Sequence, residues 1–284
     1  MRKTYILFFI FIFSFISVMQ AQTNFDIEGH RGCRGLYPEN TIVAFLHAVQ
    51  LGVNTLELDV LVTKDGKLVV SHDPYLNPDI CTFPEGQPSQ EDASKFHKLY
   101  DMTYDEISKF DCGSRGNPKF PDQHKMYAVK PLLSEVIDSV ETYIEQHHLP
   151  SVQYNIETKS TPQTDDINHP KPAIFSKILY DLLSQKNILN KCIIQSFDPR
   201  TLQEIRKTDA SVATALLVAN LDGFDKNIKR LGFVPTIYSP IDALVTKKLI
   251  RKCLEKNIKV IPWTVDDENK MIKRKKMGIN EIIS

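Results

Sequence analysis

Residues 55–74 read TLELDVLVTKDGKLVVSHDP. Residues 55–63 alternate as a strand does, and residues 67–72 form a second, Val-rich run. Asp65-Gly66 between them is a strong hairpin signal, because a type I′ turn needs positive φ at both central residues. Parallel neighbours would need a crossover of about a dozen residues, so these two strands run antiparallel. With Asp65 and Gly66 at the turn, Lys64 faces Lys67, Thr63 faces Leu68, and Asp59 faces His72. Glu57 precedes Asp59 by two and shares its face. The expected result is a patch of two carboxylates and an imidazole. A solvated polar face is the plainer reading. Against it, Leu56, Leu58, Val60, Val69 and Val70 mark a strand buried on both sides, where carboxylates are rare without a partner or a metal.

Upstream, residues 24–28 form a short strand that delivers Gly29-His30-Arg31-Gly32. Asn40 is placed to cap a helix over residues 41–51, with Ile42, Phe45, Leu46 and Val49 as its apolar stripe and Gly52 as its stop. Strand, helix and strand in so short a span are the βαβ signature of a parallel sheet, where functional groups gather beyond the carboxyl ends of strands. Downstream, residues 75–127 are rich in Pro, Asp, Ser and aromatics. They read as an insertion over the strand ends, with one short helix within 102–110. The pattern then predicts helices over 132–146, 173–183, 199–207, 247–256 and 267–276. Further strands fall at 152–158, 192–195, 212–218, 236–238, 258–265 and 280–283. Leaving out the return strand, eight parallel strands result. The expected fold is an α/β (β/α)8 TIM barrel with one antiparallel return strand and an insertion after it.

The chain has 284 residues, 42% hydrophobic and 25% charged, an ordinary globular composition. With 35 basic and 35 acidic residues, no global field draws it to nucleic acid. Residues 1–22 have the form of an export signal. Arg2 and Lys3 lead, residues 5–18 are apolar, and Met19-Gln20-Ala21 ends on a small residue. This implies a mature barrel domain over residues 23–284, exported to a periplasm or secreted, without a stable membrane anchor once the signal is removed. Five Cys at irregular spacing, with no CxxC, give neither a zinc site nor a disulfide framework. In an oxidising compartment Cys81 and Cys112 could pair, a point the sequence leaves open. The oligomeric state is not indicated.

The barrel collects His30, Arg31, Glu57, Asp59, Glu157, Lys159 and Trp263 at strand ends, with His72 from the return strand. Three converging carboxylates suit a hard divalent cation, Ca²⁺ or Mg²⁺. Arg31 and Lys159 suit a phosphate, and two His residues suit proton transfer. Together they point to cleavage of a phosphate ester.

The motifs His30-Arg31-Gly32, Pro38-Glu39-Asn40-Thr41, Glu57-Leu58-Asp59-Val60, Thr63-Lys64-Asp65-Gly66 and Val69-Val70-Ser71-His72-Asp73 resemble the glycerophosphodiester phosphodiesterase family. So do Asn155-Ile156-Glu157 with Lys159, Gln195-Ser196-Phe197-Asp198 and Trp263-Thr264-Val265, all in the family's order. The resemblance implies metal-dependent hydrolysis of glycerophosphodiesters to sn-glycerol 3-phosphate and an alcohol, through a cyclic phosphate. It implies His30 and His72 as the acid–base pair, Glu57, Asp59 and Glu157 on the metal, Arg31 and Lys159 on the phosphate, and Trp263 as an apolar wall. Two other readings differ in class. A phosphatidylinositol-type phospholipase C would not need the three carboxylates, and a non-enzymatic exported binding protein would not need both His residues. Where the family usually continues with Thr-Asp, this sequence has Ile282-Ile283-Ser284.

Overall fold

The computed structural model describes residues 25–83 and 97–284. The expected export signal, and residues 84–96 of the expected insertion, lie outside the described residues. The parallel strands are β1 (Asp26–His30), β2 (Thr55–Val62), β4 (Gln153–Thr158), β5 (Cys192–Ser196), β6 (Ala213–Val218), β7 (Ile237–Pro240), β8 (Lys259–Val260) and β9 (Glu281–Ile283); β3 (Leu68–Val70) is the return strand. They are ordered β8-β7-β6-β5-β4-β2-β1-β9, with β3 antiparallel on β2. Near the seam the Ile283 N–H donates to Pro262 O and the Val265 N–H to Ile283 O, both at 3.0 Å. Regular pairing in β8 is brief, and Pro262, which has no N–H to give, follows soon after it. Ser284 is held in the sheet: its N–H donates to Glu28 O at 3.0 Å, and its carbonyl accepts from His30 N at 2.8 Å.

The hairpin register differs by one residue from the sequence expectation. Val60 faces Val70 and Val62 faces Leu68, so the loop is Lys64-Asp65-Gly66 and only Gly66 has positive φ, +74°. This is the three-residue hairpin with a left-handed glycine rather than the two-residue type I′ form. Thr63 favours it, accepting from Lys67 N at 3.0 Å and donating to Asp65 Oδ1 at 2.7 Å. Asp59 therefore receives the Ser71 N–H at 3.0 Å, and His72 lies beyond the end of β3.

Every residue of β2 is buried. Its even positions, Leu56, Leu58 and Val60, join Phe45, Val136, Ile137, Tyr154, Ile156 and Phe175 in the layer between barrel and helices. The outer ring comprises α1 (Ile42–Gln50), α3 (Leu133–His147), α4 (Pro172–Gln185), α5 (Pro199–Thr208), α6 (Phe224–Leu231), α7 (Lys247–Leu254) and α8 (Glu268–Lys276), while α2 (Tyr104–Ile107) belongs to the β3–α3 connection. α6 was not expected from the sequence, because its buried stripe of Phe224, Asn227 and Leu231 is interrupted by a polar residue. In the β3–α3 connection Leu76, Ile80, Leu99, Ile107 and Phe110 cluster on Leu61 and Val69. Cys81 and Cys112 are joined there by a disulfide.

Inside the barrel Ile193, Ala215, Ile237, Ile261 and Ile283 fill one layer. Glu28 is also fully buried, accepting from Asn155 Nδ2 at 2.6 Å. Burial first, then the Glu281 charge, pushes the Glu28 carboxyl up to about 8. A folded value above the unfolded one means that the associated stability is fully present below the unfolded value and is lost as pH rises through about 8. Glu28→Gln, which cannot ionise, is expected to be the more stable protein at alkaline pH by a few kcal/mol, with little gain in mild acid. Urea unfolding at both pH values checks this, and equal gains at both would show that ionisation is not the cause.

Candidate active site

β1 ends at His30, and the chain then turns through two left-handed residues, Arg31 (φ +54°) and Gly32 (φ +84°). A side chain at residue 32 would also place its Cβ 2.7 Å from the Ala44 carbonyl carbon, so the turn requires glycine. The turn aims the Arg31 N–H at Glu57 Oε2, 3.0 Å away. The Arg31 guanidinium reaches Glu39 Oε1 at 2.9 Å and Asp59 Oδ2 at 3.4 Å. Asn40 does not cap α1. Thr41 does, accepting from Ala44 N. Asn40, at φ +56°, instead donates its Nδ2 to Asp59 Oδ2 at 2.9 Å.

β2 and β4 pair in parallel with Asp59 opposite Glu157, which is why carboxylates far apart in sequence meet. Oxygen atoms of Glu57, Asp59 and Glu157 lie within 4.8 Å of one another, and all three residues are buried. Gln195 Nε2 donates to Glu57 Oε1 at 2.6 Å. Lys159 Nζ is 2.8 Å from Glu157 Oε1 and 3.5 Å from Asp59 Oδ1. Burial, then the charges of Asp59 and Glu157, pushes the Glu57 carboxyl well above its usual range. Burial raises Glu157 too, against the pull of Lys159. Burial alone would raise Asp59, but Lys159 and Arg31 outweigh it and hold that carboxyl low. Three carboxylates thus share one ammonium and part of a guanidinium already engaged by Glu39. The all-oxygen donor set and the excess negative charge fit a hard divalent cation.

His30 is 9% exposed and lies deep in the site. Its Nε2 is 3.9 Å from Glu57 Oε2, and its Nδ1 is 3.2 Å from Thr264 Oγ1. Burial, then Arg34 and Arg31, holds the imidazole well below its usual value. The His72 side chain is 35% exposed and sits at the rim. Its Nδ1 lies 2.9 Å from Asp73 Oδ1, which leaves Nε2 for another partner. Burial would raise Asp73, but His72 outweighs it and brings that carboxyl down to about 2.

His30, Arg31, Glu57, His72, Glu157 and Lys159 line a cavity of about 250 Å³, together with Arg34, Gln195, Phe197, Leu217, Trp263 and Thr264. Trp263 donates its Nε1 to Ser239 O at 2.9 Å and meets Phe197 edge-on, with ring centroids 5.4 Å apart. Glu57, Asp59, Glu157, Lys159, Arg31, His30, His72 and Trp263, singled out from sequence, therefore converge. His72 reaches the cavity from beyond β3, not by facing Asp59 as the register would have had it. Sequence reasoning gave no place in the site to Glu39, Asn40, Asp73, Gln195, Thr264 or Arg34. All but Arg34 fall inside motifs quoted above. For Asp73 and Thr264 the signal was adjacency to His72 and Trp263; for Glu39, Asn40 and Gln195 it was membership of a quoted motif.

A sequence profile of the glycerophosphoryl diester phosphodiesterase family matches residues 30–284. A glycerophosphodiester phosphodiesterase of Caldanaerobacter subterraneus subsp. tengcongensis is 30% identical over 260 residues, covering 91% of this chain and 93% of that one. A glycerophosphodiester phosphodiesterase of Bacillus altitudinis is 28% identical over 262 residues, with the same coverage of 91% and 93%. Among solved structures, one from Silicibacter pomeroyi superposes with a TM-score of 0.78 at 25% identity, covering 92% of this chain and 89% of that one. An Oleispira antarctica phosphodiesterase, solved with the product sn-glycerol-3-phosphate, has a TM-score of 0.70 at 19% identity, covering 91% and 92%.

Proposed function

The chain belongs to the glycerophosphoryl diester phosphodiesterase family, and from that premise we propose that it hydrolyses glycerophosphodiesters to sn-glycerol 3-phosphate and an alcohol with a divalent cation, Ca²⁺ or Mg²⁺, at Glu57, Asp59 and Glu157. The observation that carries this is the convergence of three buried carboxylates, two imidazoles and cationic side chains on one cavity. The product bound by the Oleispira phosphodiesterase, on the same fold, supports the substrate class.

In this reading the glycerol end enters first and the variable alcohol faces solvent. A bound cation would orient the glycerol hydroxyls and offset charge on the phosphate. His30, at depth, takes the proton of the glycerol hydroxyl next to the phosphodiester as that oxygen attacks phosphorus. His72, at the rim with its Nδ1 on Asp73, gives a proton through Nε2 to the departing alcohol. The result is a cyclic phosphate, which water opens with the two His roles reversed. Lys159 and Arg31 counter charge on the phosphoryl oxygens, and Trp263 with Phe197 forms an apolar wall beside the substrate.

The export-signal pattern of residues 1–22 and the Cys81–Cys112 disulfide support action outside the reducing cytoplasm. The phospholipase C reading is weaker, since it leaves the acidic triad without work. The decisive assay uses metal-stripped protein starting near Gln22. Release of glycerol 3-phosphate from glycerophosphocholine should return when Ca²⁺ or Mg²⁺ is added back. Full activity in the presence of a strong chelator would sink metal dependence. Inactivity toward every glycerophosphodiester tried would favour a binding protein.

A further inference from the structure

Three cationic side chains line the cavity: Arg31, Arg34 and Lys159. Two are committed. Arg31 is held by Glu39 and Asp59, and Lys159 by Glu157 and Asp59. Arg34 is different. Its only carboxylate partner among the described residues is Asp266, 3.6 Å away, and that side chain is 56% exposed while Arg34 itself is only 17% exposed. A rim contact of this length with a solvated carboxylate is worth little.

Arg34 is nevertheless held in place. Its guanidinium lies over the Phe120 ring, 5.0 Å from the centroid. Gln123, buried in the β3–α3 connection, donates its Nε2 to Arg34 O at 2.8 Å and to Tyr37 O at 2.9 Å. The His124 N–H donates to Leu36 O at 2.7 Å. The long connection thus clamps the β1–α1 loop and keeps a weakly paired guanidinium on the cavity wall beside His30.

We infer that Arg34 is a substrate-binding residue, with its guanidinium holding a non-bridging phosphate oxygen of the diester in exchange for Asp266, and that Phe120 and Gln123 position it. A planar guanidinium suits two phosphate oxygens better than a point charge does. The inference rests on the proposed activity and deepens it: the anion recognised is the phosphate common to all substrates, not a charged headgroup.

The test is calorimetric binding of sn-glycerol 3-phosphate to the mature, metal-loaded protein, together with kcat/KM on glycerophosphocholine, glycerophosphoethanolamine and glycerophosphoinositol. Arg34→Ala should weaken glycerol 3-phosphate by about tenfold or more, the scale of a lost charge-assisted hydrogen bond. It should lower kcat/KM for all three diesters by a similar factor, and Arg34→Lys should recover only part. Asp266→Asn should tighten glycerol 3-phosphate a few-fold in the wild-type background and have no effect in Arg34→Ala, a coupling that mere structural damage would not produce. Circular dichroism melts verify that each variant is folded. Unchanged product affinity in folded Arg34→Ala, or a loss confined to one headgroup, overturns the inference. If the wild-type protein neither binds glycerol 3-phosphate nor cleaves a diester, the activity reading fails first and the Arg34 inference falls with it.

Discussion

On glycerophosphocholine, His72→Ala is expected to lose at least about a hundredfold in kcat, and to regain most of that loss on a glycerophosphodiester whose alcohol is p-nitrophenol. His30→Ala should lose at least as much on the first substrate and regain little on the second. Choline is a poor leaving group and must be protonated as it departs, whereas p-nitrophenolate leaves unaided. The assignment rests on position. The His72 side chain is 35% exposed at the rim, with Nδ1 engaged by Asp73. His30 is 9% exposed and has its Nε2 3.9 Å from Glu57. In the proposed orientation the alcohol faces solvent, so the group that serves it belongs at the rim. Rescue of His30→Ala rather than His72→Ala would reverse the two roles. A variant that keeps most of its activity removes that His from the chemistry.

Glu157→Ala should weaken divalent-cation binding by at least about tenfold, the lower end of what even outer-shell losses cost. Saturating cation stabilises a protein that binds it only when folded, by about 2.7 kcal/mol at a hundred times Kd. The wild-type melting temperature should therefore rise on adding Ca²⁺ or Mg²⁺, and that of Glu157→Ala should rise by at most about half as much at the same concentration. The physical reason lies in the β2–β4 ladder, which sets Glu157 opposite Asp59. Deleting one carboxylate removes a ligand and also frees Lys159, now 2.8 Å from Glu157, to pair fully with Asp59. Wild-type cation affinity in Glu157→Ala, measured by calorimetry, would show that the ion binds elsewhere. Asn40→Ala, which removes the 2.9 Å hydrogen bond to Asp59, should produce a milder loss in the same measurement.

Much of this was legible in the order of residues. Period-two alternation in residues 55–63 and apolar stripes between strands led to eight parallel strands and a barrel. The positions of His30 and Glu157 toward strand ends, and of Glu57 and Asp59 on one face of β2, followed, because a strand fixes which side chains share a face. What the sequence could not settle was set by energies local to the folded chain. The Asp65-Gly66 pair allows either of two loop lengths, and the Thr63 hydroxyl selects the longer by bonding Asp65 and Lys67. Asn40 has the chemistry of a helix cap, but Thr41 takes that place and leaves the amide for a buried carboxylate that only the tertiary fold brings near. Gln195 meets Glu57 across a large sequence separation, and Arg34 is held over Phe120 by a connection without periodicity. Alternation and stripes are written residue by residue, so the sequence by itself determined the strands, the barrel and the acidic face. Loop register, cap choice and the partners of buried polar groups depend on which donors and acceptors burial leaves unmet, and that is decided only when the chain has closed on itself.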